Sequence, residues 1–159
     1  MNVAEAFASY EHVRHRLPTA KVGTAFRRLP NLDALADEID VFLLDAFGVL
    51  NIGDTAIAGV PERVARLQKA GKRVMVVSNA AGFPHAKLME KYKSLGYNFA
   101  TEDVITSRKA TLHALHISPP MKWGLMATPS LGRGDIEPFD MIYLAEDVAA
   151  YDEAQAFVL

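Results

Sequence analysis

The ten residues VFLLDAFGVL, at positions 41–50, decide how this chain is expected to fold. Four apolar residues run without a break into the carboxylate of Asp45, and such a run predicts a strand buried on both faces within a parallel sheet. Asp45 would then lie at the carboxyl end of the strand, where open α/β sheets bind their ligands. Gly48 permits a sharp turn directly after it. The alternative is a buried strand whose Asp45 only caps the next helix.

Further apolar segments alternate with helical patterns along the rest of the chain. Strands are predicted at 74–77, 104–107, 123–127, 141–144 and 156–159. Pro61 and Pro84 mark the starts of two helices, since proline suits the first turn of a helix. The alternation predicts right-handed βαβ units, with residues 41–127 in one parallel sheet that is covered on both sides. An amphipathic pattern over residues 3–17 predicts a helix ahead of this core.

Composition excludes several classes of protein. Half of the 159 residues are hydrophobic, which is enough for a packed core, and the net charge of −2 gives no basic surface for nucleic acid. Cysteine is absent, so disulfides and thiolate metal sites are excluded. No apolar run is long enough to span a bilayer, and the first residues show no secretory signal. We therefore expect a cytoplasmic protein that binds neither membranes nor nucleic acid.

Polar side chains follow two strands that should be neighbours in the sheet. Asp45 follows the first strand and Ser78-Asn79 end the next, one βαβ unit later. A carboxylate can attack phosphorus, while a hydroxyl and backbone N–H groups can stabilise the phosphoryl oxygens. Mg²⁺ commonly mediates between a carboxylate and a phosphate dianion. The alternative is that Asp45 and Ser78 only cap helices.

Four landmarks in order resemble the haloacid dehalogenase (HAD) superfamily. They are residues 43–50, 57–61, 76–79 and 105–107. The resemblance is to the branch of sugar phosphatases and 4-nitrophenylphosphatases, whose cap domain is inserted after the second motif. It implies a three-layer, Rossmann-like fold and Mg²⁺-dependent phosphoryl transfer through an aspartyl-phosphate, with a small phosphorylated metabolite such as a sugar phosphate as substrate.

The resemblance also implies the roles of individual residues. Asp45 matches the nucleophile and a metal ligand, and the backbone carbonyl of Phe47 matches a second metal ligand. Ser78 and Asn79 match the residues that hold the phosphoryl group. Phe47 departs from the pattern, because related phosphatases usually carry a second Asp there as the acid and base.

Two alternatives follow from this departure. One is a catalytically silent protein that binds a metabolite or a partner in an assembly. The other is a dehalogenase-like hydrolase, since founding members of the superfamily carry an aromatic residue at the position of Phe47. Their cap lies between the first two motifs, where this chain has no room for it, so phosphate chemistry is preferred.

The division of the chain is expected to be a helical extension at 1–36, the first part of a HAD-like core at 37–130, and the start of a cap or connector at 131–159. No residue matches the family's third-motif Lys or fourth-motif carboxylates, and Asp135, Asp140, Glu146 and Asp147 are interpreted as loop and cap surface. We therefore expect the front part of a longer protein, with weak or absent turnover by itself. Homo-oligomers could form through an edge that includes Phe157 and Leu159.

Overall fold

The structure is a computed structural model that describes residues 2–19, 23, 25–127, 134–136, 138–144 and 148–158. It separates into two units, Met1–Pro30 and Asn31–Leu159. The predicted division at residues 36 and 130 stays a prediction. In the described part of the chain, no helix is long and apolar enough to cross a membrane.

The strands and helices of the second unit alternate along the chain. The strands are β1 (Val41–Leu44), β2 (Asn51–Ile52), β3 (Thr55–Ala56), β4 (Arg73–Ser78), β5 (Val104–Thr106), β6 (Trp123–Leu125), β7 (Met141–Tyr143) and β8 (Ala156–Val158). The helices of this unit are α2 (Val60–Lys69), α3 (His85–Ser94) and α4 (Ser107–Ile117), and α1 (Val3–Val13) lies in the first unit. Short 3₁₀ turns cover Leu32–Leu35, Thr101–Asp103 and Val148–Glu153. The prediction from Pro61 and Pro84 is confirmed, since α2 begins at Val60 and α3 directly follows Pro84.

The first sheet is parallel and has the strand order β1-β4-β5. Leu44 of β1 lies opposite Val76 of β4, and Ser78 of β4 lies opposite Thr106 of β5. The carboxyl ends of β1 and β4 are therefore neighbours, as the sequence predicts.

One face of this sheet forms the core. Phe42 and Leu44 are buried, whereas Val41 is 48% and Leu43 is 63% exposed. The expectation that β1 is buried on both faces is thus wrong for the described residues, because an apolar run does not show which face a helix covers. The core contains Phe42, Leu44, Ala46, Leu50, Val64, Leu67, Val74, Val76, Leu88, Tyr92, Tyr97, Phe99 and Val104.

A second parallel sheet has the order β7-β6-β8. The prediction that residues 123–127 continue the first sheet is wrong, since β6 pairs only with β7 and β8 among the described strands. Three apolar residues do not specify a partner strand; packing does. A Cβ on Gly124 would lie 2.9 Å from the ring of Phe157 and 3.0 Å from the side chain of Leu144, so this close approach requires glycine.

The first unit contains helix α1 (Val3–Val13), which a 3₁₀ turn at Arg14–Arg16 extends. Asn2 caps it reciprocally with Glu5, since each side chain accepts a hydrogen bond from the other residue's backbone N–H at 2.9 Å. The predicted apolar stripe exists, but none of its side chains is buried. Phe7 is 63% exposed and stacks on Tyr10.

Candidate active site

Asp45 is exposed at the first position after β1, where the chain turns away from the sheet. Its Oδ1 accepts a hydrogen bond from the N–H of Ala46 at 2.7 Å. The carbonyl of Ala46 in turn accepts from the N–H groups of Val49, Leu50 and Asn51 at 3.3, 2.8 and 3.1 Å. This turn of backbone hydrogen bonds holds the carboxylate at the end of the sheet.

Gly48 makes the turn possible, because its φ of 80° lies in the left-handed region that side chains disfavour. Its N–H donates to the carbonyl of Asn51 at 2.9 Å, and Phe47 and Asn51 form an isolated bridge. The bridge uses the backbone groups on either side of Phe47, whose own carbonyl accepts no hydrogen bond from the described residues. The role of that carbonyl as a metal ligand stays a prediction.

An aromatic cluster of Tyr92, Tyr97 and Phe99 lies beneath the turn. The Tyr97 hydroxyl donates to the carbonyl of Leu50 at 2.6 Å, and its ring stacks on Phe99. The Tyr92 ring packs edge-on against both other rings. Burial raises the pKa of Tyr92, and the negative charge of Asp45 raises it further. The cluster thus connects the packed core to the turn that carries Asp45.

Ser78 and Asn79 form the adjacent strand end. The Ser78 Oγ accepts a hydrogen bond from the N–H of Ala80 at 3.2 Å, so the hydroxyl lies inside the loop at residues 78–82. Asn79 is exposed, and Ser78 is half-buried. This loop follows β4, the strand that pairs with the strand before Asp45. The catalytic and phosphate-binding roles of Asp45, Ser78 and Asn79 remain predictions.

Two residues at the start of α4 form hydrogen bonds with the same loop. The Ser107 hydroxyl donates to the carbonyl of Asn79 at 2.9 Å, and Arg108 Nη1 donates to the carbonyl of Ala81 at 3.2 Å. Arg108 also binds both carboxylate oxygens of Asp135, through Nε at 2.9 Å and through Nη2. Its guanidinium holds the pKa of Asp135 below the usual value, although partial burial opposes this.

Asp135 lies in a turn, as interpreted, but its ion pair with Arg108 leaves its side chain only 25% exposed, and its place in a cap stays a prediction. Asp140 is exposed, and Glu146 and Asp147 lie outside the described residues. Sequence reasoning also missed Arg108. A signal existed, because a cation in the first turn of a helix opposes the helix dipole and suggests a specific partner.

The predicted donors for Mg²⁺ are oxygen atoms, which this hard cation prefers. They are the Asp45 carboxylate and the Phe47 carbonyl, both at the same turn. Within the described residues, no group of three or more His, Asp or Glu side chains could hold a metal. The two oxygens fit Mg²⁺ chemically but supply only part of its usual coordination shell.

Comparison with known proteins places the fold. Residues 42–130 match the haloacid dehalogenase-like hydrolase family, and because this is more than half of the chain, the chain belongs to that family. Phosphoglycolate phosphatase 1A, chloroplastic, of Arabidopsis thaliana is 35% identical over 83 residues, which are 52% of this chain and 23% of that protein.

Two solved structures share the fold. A possible sugar phosphatase of the HAD superfamily from Cytophaga hutchinsonii aligns with a TM-score of 0.71 and 19% identity, over 83% of this chain and 48% of that one. Glycerol phosphate phosphatase from Mycobacterium tuberculosis, in complex with magnesium, aligns with a TM-score of 0.55 and 24% identity, over 71% of this chain and 35% of that one. This chain spans less than half the length of each of these three proteins.

Proposed function

We propose that this chain carries the nucleophile and phosphate-binding half of a phosphatase site. The observation that carries the proposal is the pairing of β1 with β4, which brings the exposed Asp45 and the Ser78 loop to one edge of a parallel sheet. Membership of the family and the phosphatase relatives support it. These relatives favour a phosphatase over a silent binding protein or a dehalogenase.

In the proposed reaction, an oxygen of Asp45 attacks the phosphorus of a small phosphorylated metabolite. The bond from phosphorus to the leaving oxygen breaks, and the phosphoryl group is held on Asp45 until water releases it as inorganic phosphate. The hydroxyl of Ser78 and the amide of Asn79 would donate to the phosphoryl oxygens as negative charge develops on them. The substrate class follows the relatives, whose names specify phosphoglycolate, sugar phosphate and glycerol phosphate.

Mg²⁺ is the proposed cofactor, held by Asp45 and by the carbonyl of Phe47. It would supply charge neutralisation between the carboxylate and the phosphate dianion. The magnesium in the mycobacterial relative supports this choice. A cytoplasmic location and homo-oligomerisation stay predictions; Phe157, at the proposed edge, is 51% exposed, and Leu159 lies outside the described residues.

Phe47 determines which substrates this site can turn over. A phenyl ring can neither protonate a leaving alkoxide nor activate water, and loss of a positioned acid or base costs about 10²–10⁴ in rate. Acyl and aryl phosphates lose their leaving groups without that proton. We therefore propose fast transfer from activated phosphates onto Asp45 and slow release from it.

Acetyl phosphate with Mg²⁺ tests the proposal, because it phosphorylates a carboxylate without an acid. We expect intact-protein mass spectrometry to show the gain of one phosphoryl group, which peptide mapping assigns to Asp45. Asp45→Asn should abolish the gain. Asp40→Asn is the matched control, because Asp40 precedes the same strand and its side chain is 91% exposed. Phe47→Asp should shorten the lifetime of the phosphorylated protein. Absence of a gain, or a gain that survives Asp45→Asn, would refute the proposal.

A further inference from the structure

The loop at residues 78–82 is held through its carbonyl groups. Ser107 donates to the carbonyl of Asn79 at 2.9 Å, and Arg108 donates to the carbonyl of Ala81 at 3.2 Å. Both donors come from the first turn of α4, directly after β5. Two alternate peptide groups of the loop therefore point their carbonyls toward α4.

The direction of the carbonyls fixes the direction of the amides. In a planar trans peptide the C=O and N–H bonds point in opposite directions. The N–H groups of Ala80 and Gly82, which share these two peptides, therefore point away from α4. Strand β4 lies between β1 and β5. In the order of the sheet, the end of β1 at Asp45 and the end of β5, from which α4 starts, therefore lie on two different sides of β4.

Arg108 is itself firmly held. Its side chain is only 10% exposed, and Asp135 accepts from it through both carboxylate oxygens. A bidentate pair of this kind fixes the plane of the guanidinium as well as its position. The contact to the Ala81 carbonyl then has a defined direction, which gives Asp135 a route to the loop through Arg108.

We propose that Arg108 is a positioning residue, which keeps the Gly82 N–H turned toward a phosphoryl group on Asp45. Asp135 contributes through Arg108 and not by contact with the substrate. The inference rests on the proposed function, since it needs an anion at Asp45. The ion pair of Arg108 and Asp135, neither of which lies at the end of β1 or β4, thereby becomes part of the proposed site.

Beryllium fluoride with Mg²⁺ tests the inference, because it mimics a phosphoryl group on a carboxylate. Binding is measured by ¹⁵N NMR titration of the wild type, Arg108→Met and Asp135→Asn. We expect about tenfold weaker binding in both variants, the scale of one charge-oriented hydrogen bond. Lys109→Met is the matched control, because Lys109 is the neighbouring cation of the same helix turn and its Nζ contacts the Thr101 and Val104 carbonyls instead. It should bind like the wild type.

The outcomes separate the two proposals. If the wild type itself binds no beryllium fluoride, the proposed function fails; the orientation of the loop is then judged by the Gly82 amide signal, which should shift in Arg108→Met and not in Lys109→Met. If the wild type binds and Arg108→Met binds equally well, the positioning role is refuted. Equal weakening by Lys109→Met would show an effect of net charge alone and also refute it. Further weakening by Asp135→Asn in the Arg108→Met background would refute the action of Asp135 through Arg108.

Discussion

Tyr97→Phe tests whether the aromatic cluster fixes the turn that carries Asp45. The Tyr97 hydroxyl donates to the Leu50 carbonyl at 2.6 Å, in a buried position. Leu50 also donates its own N–H to the carbonyl of Ala46, next to Asp45. The substitution removes one oxygen atom and this one hydrogen bond, and it keeps the ring.

The expected loss follows from what remains. The Leu50 carbonyl keeps its second hydrogen bond, from the N–H of Ile57 at 3.0 Å, so it is not left unsatisfied. The ring of Phe would still pack against Phe99 and Tyr92. The free energy of unfolding should therefore fall by the net contribution of one hydrogen bond, about 1 kcal/mol. Deletion of the whole aromatic ring would cost more, about 3–5 kcal/mol.

Urea denaturation measures this change in the free energy of unfolding. The slope of that free energy against urea concentration should be the same in the variant and the wild type, which shows that their folded and unfolded states are comparable. Tyr92→Phe is the matched control, since Tyr92 is equally buried and its hydroxyl makes no hydrogen bond within the described part of the chain. We expect the control to change stability by less than about 0.5 kcal/mol. Equal losses in the two variants, or a loss for Tyr97→Phe above about 3 kcal/mol, would refute the anchoring role.

Two further predictions concern the first sheet and alkaline pH. Leu44→Ala should lower the free energy of unfolding by about 2–5 kcal/mol, because Leu44 is buried. Leu43→Ala, at a 63% exposed position, should lower it by less than about 1 kcal/mol. Equal losses of the two variants in urea titrations would contradict the assignment of the buried and exposed faces of β1. Burial raises the pKa values of Tyr92 and Tyr97 in the folded chain. The stability that these protonated side chains contribute is therefore complete below the pKa of an unfolded tyrosine, about 10. This contribution is lost as the pH rises through the raised pKa values of the folded chain. Urea titrations from pH 8 to 12 should show that decline, reduced in the variant that carries both Tyr92→Phe and Tyr97→Phe; a decline of the same size in that variant would contradict the cause given.

The first sheet could be predicted because each of its signals is local. An apolar run that ends in Asp45, a second that ends in Ser78 and a helix of suitable length between them specify two parallel neighbours. Gly48 and Pro61 likewise act on the backbone at their own positions. The exposed face of β1 and the separate sheet of β6 could not be predicted, since both depend on which element packs against which.

The support of the candidate site lies beyond sequence reasoning for a similar reason. Arg108 and Asp135 are 27 residues apart and belong to different loops or helices. No periodicity or turn residue connects them, and only the folded chain brings the guanidinium to both the carboxylate and Ala81. Tyr97 is also specified by packing, because a tyrosine after a helix has many possible acceptors and the sequence does not select Leu50.

Phe47 illustrates how the structure separates chemistry from stability at one position. The turn around it is held by the Ala46 carbonyl, by Gly48 and by the Tyr97 hydroxyl, and none of these contacts involves the side chain of Phe47. That side chain is 69% exposed and belongs to no part of the core. Loss of the ring would therefore remove little buried area, and the turn would keep its backbone hydrogen bonds. Folding stability thus gives no reason for an aromatic residue here. Because the turn does not depend on the ring, a change in phosphoryl release from Phe47→Asp reports on proton transfer at Asp45 and not on collapse of the site.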